Sequence, residues 1–310
     1  MTGEEWAGGG AAGDEQVDVL RKVIERYRAF WPLPTRQAFY QVVKEGGAGL
    51  WLDEYGRFLR AAREALTAGR LPLGSLADDR HEAREGGAWE DTEEFVHSEI
   101  ETFLWGYRRD VLQGQERHVE VWVQKPSLMD QVSDAAVEYC ATTVTCRRMP
   151  TAQFMEDLRQ RLTEARERRQ SPVVLFFGDH APGDGAFIAR VREALRAEGN
   201  LWEMEFRHEA VTADDVRRYE LPENVATRSR RSHGEQDPVA RPVELEALAP
   251  DVLADRVRSA IEAQLDMRLV HNQRAIQTRE ALRLGKLRAT ILRQIRSTLR
   301  DFMPKEEEQP

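Results

Sequence analysis

Cysteine is nearly missing from this chain: Cys140 and Cys146 are the only two in 310 residues. Neither has a His or Cys partner at ligand spacing, which excludes a thiolate zinc site, and two cysteines do not make a disulfide scaffold. Both flank an apolar strand candidate and read as buried free thiols. No apolar run reaches membrane-spanning length, and the first residues lack the charged-then-apolar order of a secretory leader. The expectation is a cytoplasmic protein with no membrane contact. Positive charge is also in deficit. Lys and Arg number 45 against 54 Asp and Glu, a formal charge of −9, so a nucleic-acid surface has to be a local patch. What is present suffices for folding: 41% of residues are hydrophobic and 32% charged, enough for a packed core and a solvated surface in one large or two ordinary domains.

The chain changes texture along its length. Residues 1–14, rich in Gly, Ala and Glu, have no periodic apolar pattern and read as a disordered arm. Val17, Leu20, Val23, Ile24 and Tyr27 recur at helical spacing, predicting a helix over 15–30 that Pro32 and Pro34 end. Thr35 is placed to cap a second helix running to Lys44, and a third is predicted over 52–67. After a loop over 71–87, a helix is predicted over 92–111. Three short helices with tight connections suit a winged-helix-like module over 15–112. From His118 onward, strands predicted at 118–124, 142–145, 173–178 and 202–208 alternate with helices at 127–139, 151–168 and 184–198. That alternation predicts an α/β domain with a mostly parallel sheet over 113–266. Val243–Leu248 reads as a last strand, followed by a helix over 251–261 and a long helix within 267–303, with a tail at 304–310. No internal repeat is found.

Two strand ends carry the most information. Val119-Glu120-Val121-Trp122-Val123-Gln124-Lys125 and Val173-Val174-Leu175-Phe176-Phe177-Gly178-Asp179-His180-Ala181 are apolar runs that stop abruptly in polar residues. Ligands of open α/β sheets bind at such ends. The pair resembles the Toprim domain, in which the first strand ends in a glutamate and the second in Asp-x-Asp, three carboxylates that hold Mg²⁺. Here Gln124 and Ala181 stand at two of those positions and Asp179 keeps the third. Mg²⁺ takes oxygen ligands and leans on carboxylates, so the resemblance implies a dismantled metal site. Asp179, with Asp184 a few residues on, is what remains for weak Mg²⁺ ligation. His180 reads as a turn residue or as a general acid–base group.

The resemblance extends to Pro34-Thr35-Arg36-Gln37-Ala38-Phe39-Tyr40, which is similar to the tyrosine-bearing helix in the winged-helix domain of two relatives, the DNA-cleaving subunit of topoisomerase VI and the meiotic double-strand-break protein. Pro34 replaces a threonine and Phe39 the first of two tyrosines. Tyr40 matches the tyrosine that attacks DNA, and Arg36, one helical turn before it, stands where a guanidinium favours an ionised phenol. The other reading of Phe39 and Tyr40 is aromatic packing in a small helical domain. Tyr107-Arg108-Arg109-Asp110 and Val243-Glu244-Leu245-Glu246-Ala247-Leu248 are similar to segments of bacterial Toprim proteins of this type, such as the Wadjet nuclease. The likeness covers about residues 34–266.

Basic residues concentrate in Arg228, Arg230 and Arg231, and then along the last helix. There Arg268, Arg274, Arg279, Arg283, Lys286, Arg288, Arg293, Arg296 and Arg300 stand against Glu280, beside an apolar stripe through Leu284, Leu287, Ile291 and Ile295. A phosphate-facing helix and a partner coiled coil both fit. Three functions follow as expectations. The first is a duplex-DNA-binding component of a larger complex, with Tyr40, Arg36, Gln124 and Asp179 at impaired catalytic positions. It would act as a homo-oligomer or beside an intact Toprim paralogue or an ATPase. The second is an active Mg²⁺-dependent nuclease with a rearranged site. The third is a protein-interaction scaffold.

Overall fold

A computed structural model describes residues 10–49, 52–77, 88–146, 149–181, 186–197, 204–224 and 242–302. The chain divides into two compact units, residues 1–81 with 115–265, and residues 82–114 with 266–310.

The first unit begins with three helices, α1 (Gly10–Arg26), α2 (Thr35–Lys44) and α3 (Leu52–Thr67). Val17, Leu20, Val23 and Ile24 form the buried stripe of α1. The helix begins at Gly10, inside the arm expected to be disordered, and ends at Arg26, with Arg28–Phe30 a separate 3-10 turn rather than its last turn. On α3, Phe58, Ala62 and Ala65 are buried, and the Phe39 ring meets those of Tyr55 and Phe58 edge-on at 5.0 and 5.3 Å. The cap on α2 differs from the expectation: Thr35 is the first helical residue, after Pro34, and its hydroxyl donates to the Ala77 carbonyl at 3.2 Å. At the other end Gly46, at φ 77°, turns the backbone left-handed, as a glycine there can without strain. Helix α2 buries residues almost all the way round, including Gln37 and Gln41. Their amides donate to the carbonyls of Leu248 and Ala247 at 3.2 and 3.3 Å, which anchors α2 to the segment after Val243.

The remainder of the unit is α/β. Strands β1 (Arg117–Val123), β2 (Thr142–Thr145), β3 (Ser171–Phe177) and β4 (Glu205–Ala210) form one sheet, all parallel, in the order β2-β1-β3-β4. Between them lie α5 (Met129–Val137), α6 (Ala152–Glu167) and α7 (Ala186–Ala197). After β4 come α8 (Ala213–Arg218) and, near the end of the unit, α9 (Pro250–Glu262). Trp122, Val174 and Phe176 pack with Met155, Leu158 and Leu162 of α6 and Phe187, Ile188 and Val191 of α7. Val119, Val121 and Val123 alternate with these positions along β1 and are fully buried on the other face, the side on which α5 packs against β1, β2 and α9.

Helix α8 was not expected. It is marked by Thr212-x-x-Asp215, where hydroxyl and carboxylate each bond the other's backbone N–H. The strand expected over 202–208 lies at Glu205–Ala210. The last strand expected at 243–248 does not form. Val243 makes a single antiparallel bridge to His180, and Leu245–Ala247 is a 3-10 turn. Of the two thiols expected to be buried, Cys146 is, whereas Cys140 is only partly buried; neither is in a disulfide.

In the second unit α4 (Thr92–Thr102) is capped by Asp91, whose carboxylate accepts from Glu94 N at 2.8 Å. It stops well short of Val111, the expected end: Leu104 and Gly106, at φ 57° and 76°, take the backbone out of the helix. Helix α10 (Met267–Phe302) is 36 residues long, about 54 Å at 1.5 Å per residue. Arg288 joins the two helices. Its guanidinium donates to the carbonyls of Phe103 at 2.8 Å, Glu101 at 2.7 Å and Ile100 at 3.2 Å, closing the end of α4 that lacks internal partners. Among the described residues, no helix is long and apolar enough to cross a membrane.

Candidate functional site

The strand order makes one place on the sheet special. β1 connects to β2 on one side, and the next crossover returns past β1 to β3 on the other. The carboxyl ends of β1 and β3 therefore diverge in their connections, and such a switch point leaves a crevice where ligands of open α/β sheets bind. Gln124 and Lys125 leave β1 there, and Gly178 and Asp179 leave β3.

These residues are tied together across the crevice. The Gln124 side-chain oxygen accepts from the Asp179 backbone N–H at 2.7 Å. A side chain at 178 would crowd that bond: a Cβ there would stand 2.8 Å from the same Gln124 oxygen and 2.5 Å from the Phe176 ring. One Asp179 oxygen accepts from Leu245 N at 2.9 Å, and His180 pairs with Val243 through both backbone groups, N to O at 2.8 Å and O from N at 2.9 Å. The segment 243–248 is thereby laid over the strand ends, and it delivers Glu244 and Glu246 into the crevice.

Glu244 is the hub. Arg36 donates Nε to Oε2 at 2.6 Å and Nη2 to Oε1 at 3.1 Å, a two-point clamp. Tyr40, with 1% of its surface exposed, donates its hydroxyl to Oε2 at 2.5 Å. Lys125 Nζ lies 3.4 Å from Glu244 Oε1, 3.1 Å from Asp179 Oδ2 and 3.2 Å from Glu246 Oε2. Ser127 donates to the second Glu246 oxygen at 2.9 Å. Three carboxylates thus meet two cations, Arg36 and Lys125, one negative charge in excess.

Burial and the neighbouring cations together decide which carboxylates ionise readily. Burial works against charge on Glu244, but Arg36, Lys125 and the Tyr40 hydroxyl outweigh it and hold that carboxyl below its usual range. Burial prevails at Asp179 and Glu246, which are pushed up in spite of Lys125. Burial also opposes charge on Arg36 and Lys125. The facing carboxylates overcome it, so both hold their protons more tightly than usual.

The structure therefore brings together Arg36, Tyr40, Gln124 and Asp179, which the sequence singled out from three separate segments, the nearest two 55 residues apart. Their contacts differ from those anticipated. Arg36 clamps Glu244, its guanidinium carbon lying 5.9 Å from the centre of the Tyr40 ring, and the Tyr40 phenol is a buried donor to a carboxylate. His180 serves through its backbone. Glu120, in β1 four residues before Gln124, belongs to a separate cluster: Arg161 donates to it at 2.8 and 3.3 Å, and the Trp122 indole at 2.8 Å. Asp184 and Arg228, Arg230 and Arg231 lie outside the described residues, as does the side chain of Arg296. Arg293 is exposed on α10, whereas Arg288 is engaged by the end of α4.

Lys125, Ser127, Glu244 and Glu246 were missed as site residues. The available signal was a pair of glutamates in the otherwise apolar Val243–Leu248, two charges that burial would have to compensate. Against the Mg²⁺ site implied by the resemblance, the donor set does not fit. Gln124 is neutral and already bonded, Ala181 has no side-chain oxygen, and Asp179 is engaged by Lys125 and Leu245. Among the described residues no group of three or more His, Cys, Asp or Glu stands at metal-binding spacing. No family model, curated protein or solved structure matches this chain.

Proposed function

We propose that this chain is a DNA-binding protein of the Toprim, topoisomerase VI-like type, impaired in cleavage, that works as one component of a DNA-processing complex. The observation that carries the reading is the content of the β1–β3 switch point. A glutamine and a lysine follow β1 where that type of enzyme gathers carboxylates, and the surviving Asp179 is neutralised by Lys125 at 3.1 Å. The tyrosine of the proposed nucleophile helix is buried against Glu244, where it has no path to a phosphodiester. What such a chain retains is a surface for DNA. The exposed Arg279, Arg283, Lys286 and Arg293 on α10 supply positive charge in a chain that is acidic overall.

Binding driven by such a surface releases counterions and weakens steeply with salt. Fluorescence anisotropy with a labelled duplex should show sequence-tolerant binding whose logarithm falls linearly with the logarithm of salt concentration. Replacing Arg279, Arg283, Lys286 and Arg293 together by Ala should flatten that slope by about 3 to 4, near one unit for each phosphate no longer neutralised. Binding that ignores these substitutions assigns α10 to a protein partner. Mg²⁺-dependent nicking of plasmid that disappears in Asp179→Ala assigns the chain to the active nucleases.

A further inference from the structure

Lys125 sits where three carboxylates converge from separate parts of the chain: Asp179 after β3, and Glu244 and Glu246 from the segment that crosses the strand ends. Its ammonium lies 3.1 to 3.4 Å from an oxygen of each. Arg36 balances part of Glu244 from outside this group, and the whole cluster keeps one unbalanced negative charge. A second observation points at a cation more directly. Glu246 is 4% exposed, and among the described residues its Oε2 is faced by the Lys125 ammonium alone, 3.2 Å away. A fully buried carboxylate oxygen whose partner is a monovalent ammonium, itself shared with two other carboxylates, is the donor a more highly charged ion would use.

We infer that Asp179, Glu244 and Glu246 form a cation site that Lys125 fills as a tethered ion, and that the site takes an oxygen-preferring divalent cation when the lysine side chain is removed. Ammonium and divalent ion compete for the same oxygens. With Lys125 in place the oxygens stand at ammonium distances, and a divalent ion needs them at about 2.0–2.6 Å, so the two occupancies exclude each other. Without the lysine, three buried carboxylates and a single arginine are left with two negative charges in excess, which a divalent ion neutralises. The site differs from the one implied by the family resemblance in two of its three ligands. It does not depend on the DNA-binding reading either, since metal uptake is measured without DNA and either can fail alone.

The test is thermal unfolding of the full chain and of Lys125→Ala, each titrated with Mn²⁺ and with Mg²⁺ and read by melting temperature. Metal that binds only the native state raises that temperature by mass action. The parent should show no saturable shift. Lys125→Ala should melt lower than the parent without metal, because the carboxylates then repel, and should regain stability in a saturable way as Mn²⁺ is added. Adding Glu246→Gln to Lys125→Ala should weaken that response at least tenfold in metal concentration. If Lys125→Ala does not fold alone, Lys125→Met keeps the side-chain volume, and refolding of either variant with Mn²⁺ present should succeed where refolding in chelator fails. Lysine variants indifferent to Mn²⁺ in both melting and refolding overturn the inference, as does a parent chain that binds the metal as tightly as they do.

Discussion

Glu244 and Glu246 are two residues apart in one turn, yet they sit on opposite sides of the same charge balance. Glu244 satisfies a clamping guanidinium and a phenol; Glu246 holds only the Ser127 hydroxyl and a share of the Lys125 ammonium. Neutralising them should therefore have different consequences. Glu244→Gln strips the part-buried Arg36 of its two-point carboxylate clamp and should cost about 3–5 kcal/mol, as removing one partner of a buried pair does. Glu246→Gln removes the excess while leaving the oxygen that Ser127 bonds, and should stay within about 1 kcal/mol of the parent or exceed it. Urea unfolding of the two variants beside the parent checks this, and equal losses would refute the charge balance. Neither glutamate stood out as a site residue in the sequence. Their role requires a lysine and a serine each 119 residues before the glutamate it meets, Lys125 for Glu244 and Ser127 for Glu246, a separation that no local spacing rule reaches.

Among the elements, β1 shows how a strand can bury a carboxylate and still fold. Glu120 is 1% exposed between two apolar neighbours. Its position on the α6 face of the sheet lets Arg161 reach it, with the Trp122 indole and His118 completing the shell. Burial alone would push this carboxyl up; His118, Arg161 and the indole outweigh it and hold it below its usual range. A carboxyl whose folded value is depressed contributes stability above its unfolded value, about 4.3, and that contribution is lost as pH falls through the lower folded value. Melting temperature followed downward from pH 5 should thus fall less steeply in Glu120→Gln than in the parent, from a lower starting point. Parallel curves would show that Glu120 does not contribute to acid unfolding. The element boundaries were most legible where local chemistry decides them. α3 and β2 begin and end where apolar spacing puts them, and α6 where Thr151 caps it. The helix over 92–111 failed at Leu104 and Gly106 because apolar periodicity continues through Tyr107 while the backbone does not. Val243–Leu248 has the alternation of a strand, but it meets only one backbone partner, His180, and closes into a 3-10 turn.

For the molecule as a whole, the division into two units crosses the chain order. Residues 82–114 find their partner in 266–310 rather than in the segments on either side of them. Within that unit Arg109 binds Glu280 at 3.0 Å and Gln273 at 2.6 Å, and Arg288 closes α4. A chain ending at Leu265 should keep the cooperative unfolding of the switch-point core, because the hydrogen bonds and ion pairs that join Arg36, Tyr40, Lys125, Asp179 and the two glutamates all lie within the first unit. The same chain should lose α4 helicity, since its closing guanidinium is gone, and should bind duplex DNA about tenfold or more weakly once the arginines of α10 are removed. Circular dichroism and the anisotropy titration read these outcomes separately. Loss of cooperative unfolding would show that the first unit depends on the second.

By itself the sequence determined the alternation of strands and helices, the parallel sheet, the three opening helices and the long basic helix. Each rests on a period of two or 3.6 residues, on capping side chains, or on local charge, all of which act within a few residues along the chain. It also pointed to the ends of β1 and β3, because an apolar run that stops in polar residues marks where a buried strand meets solvent. Only the tertiary structure decided what fills that place. The order β2-β1-β3-β4 opens the crevice between those two strands, the His180–Val243 bridge lays two glutamates across it, and α2 brings Arg36 and Tyr40 against them. Charge compensation in a buried site depends on distance in space and on the exclusion of water. These groups span residues 36 to 246, so their balance exists only once the chain has folded.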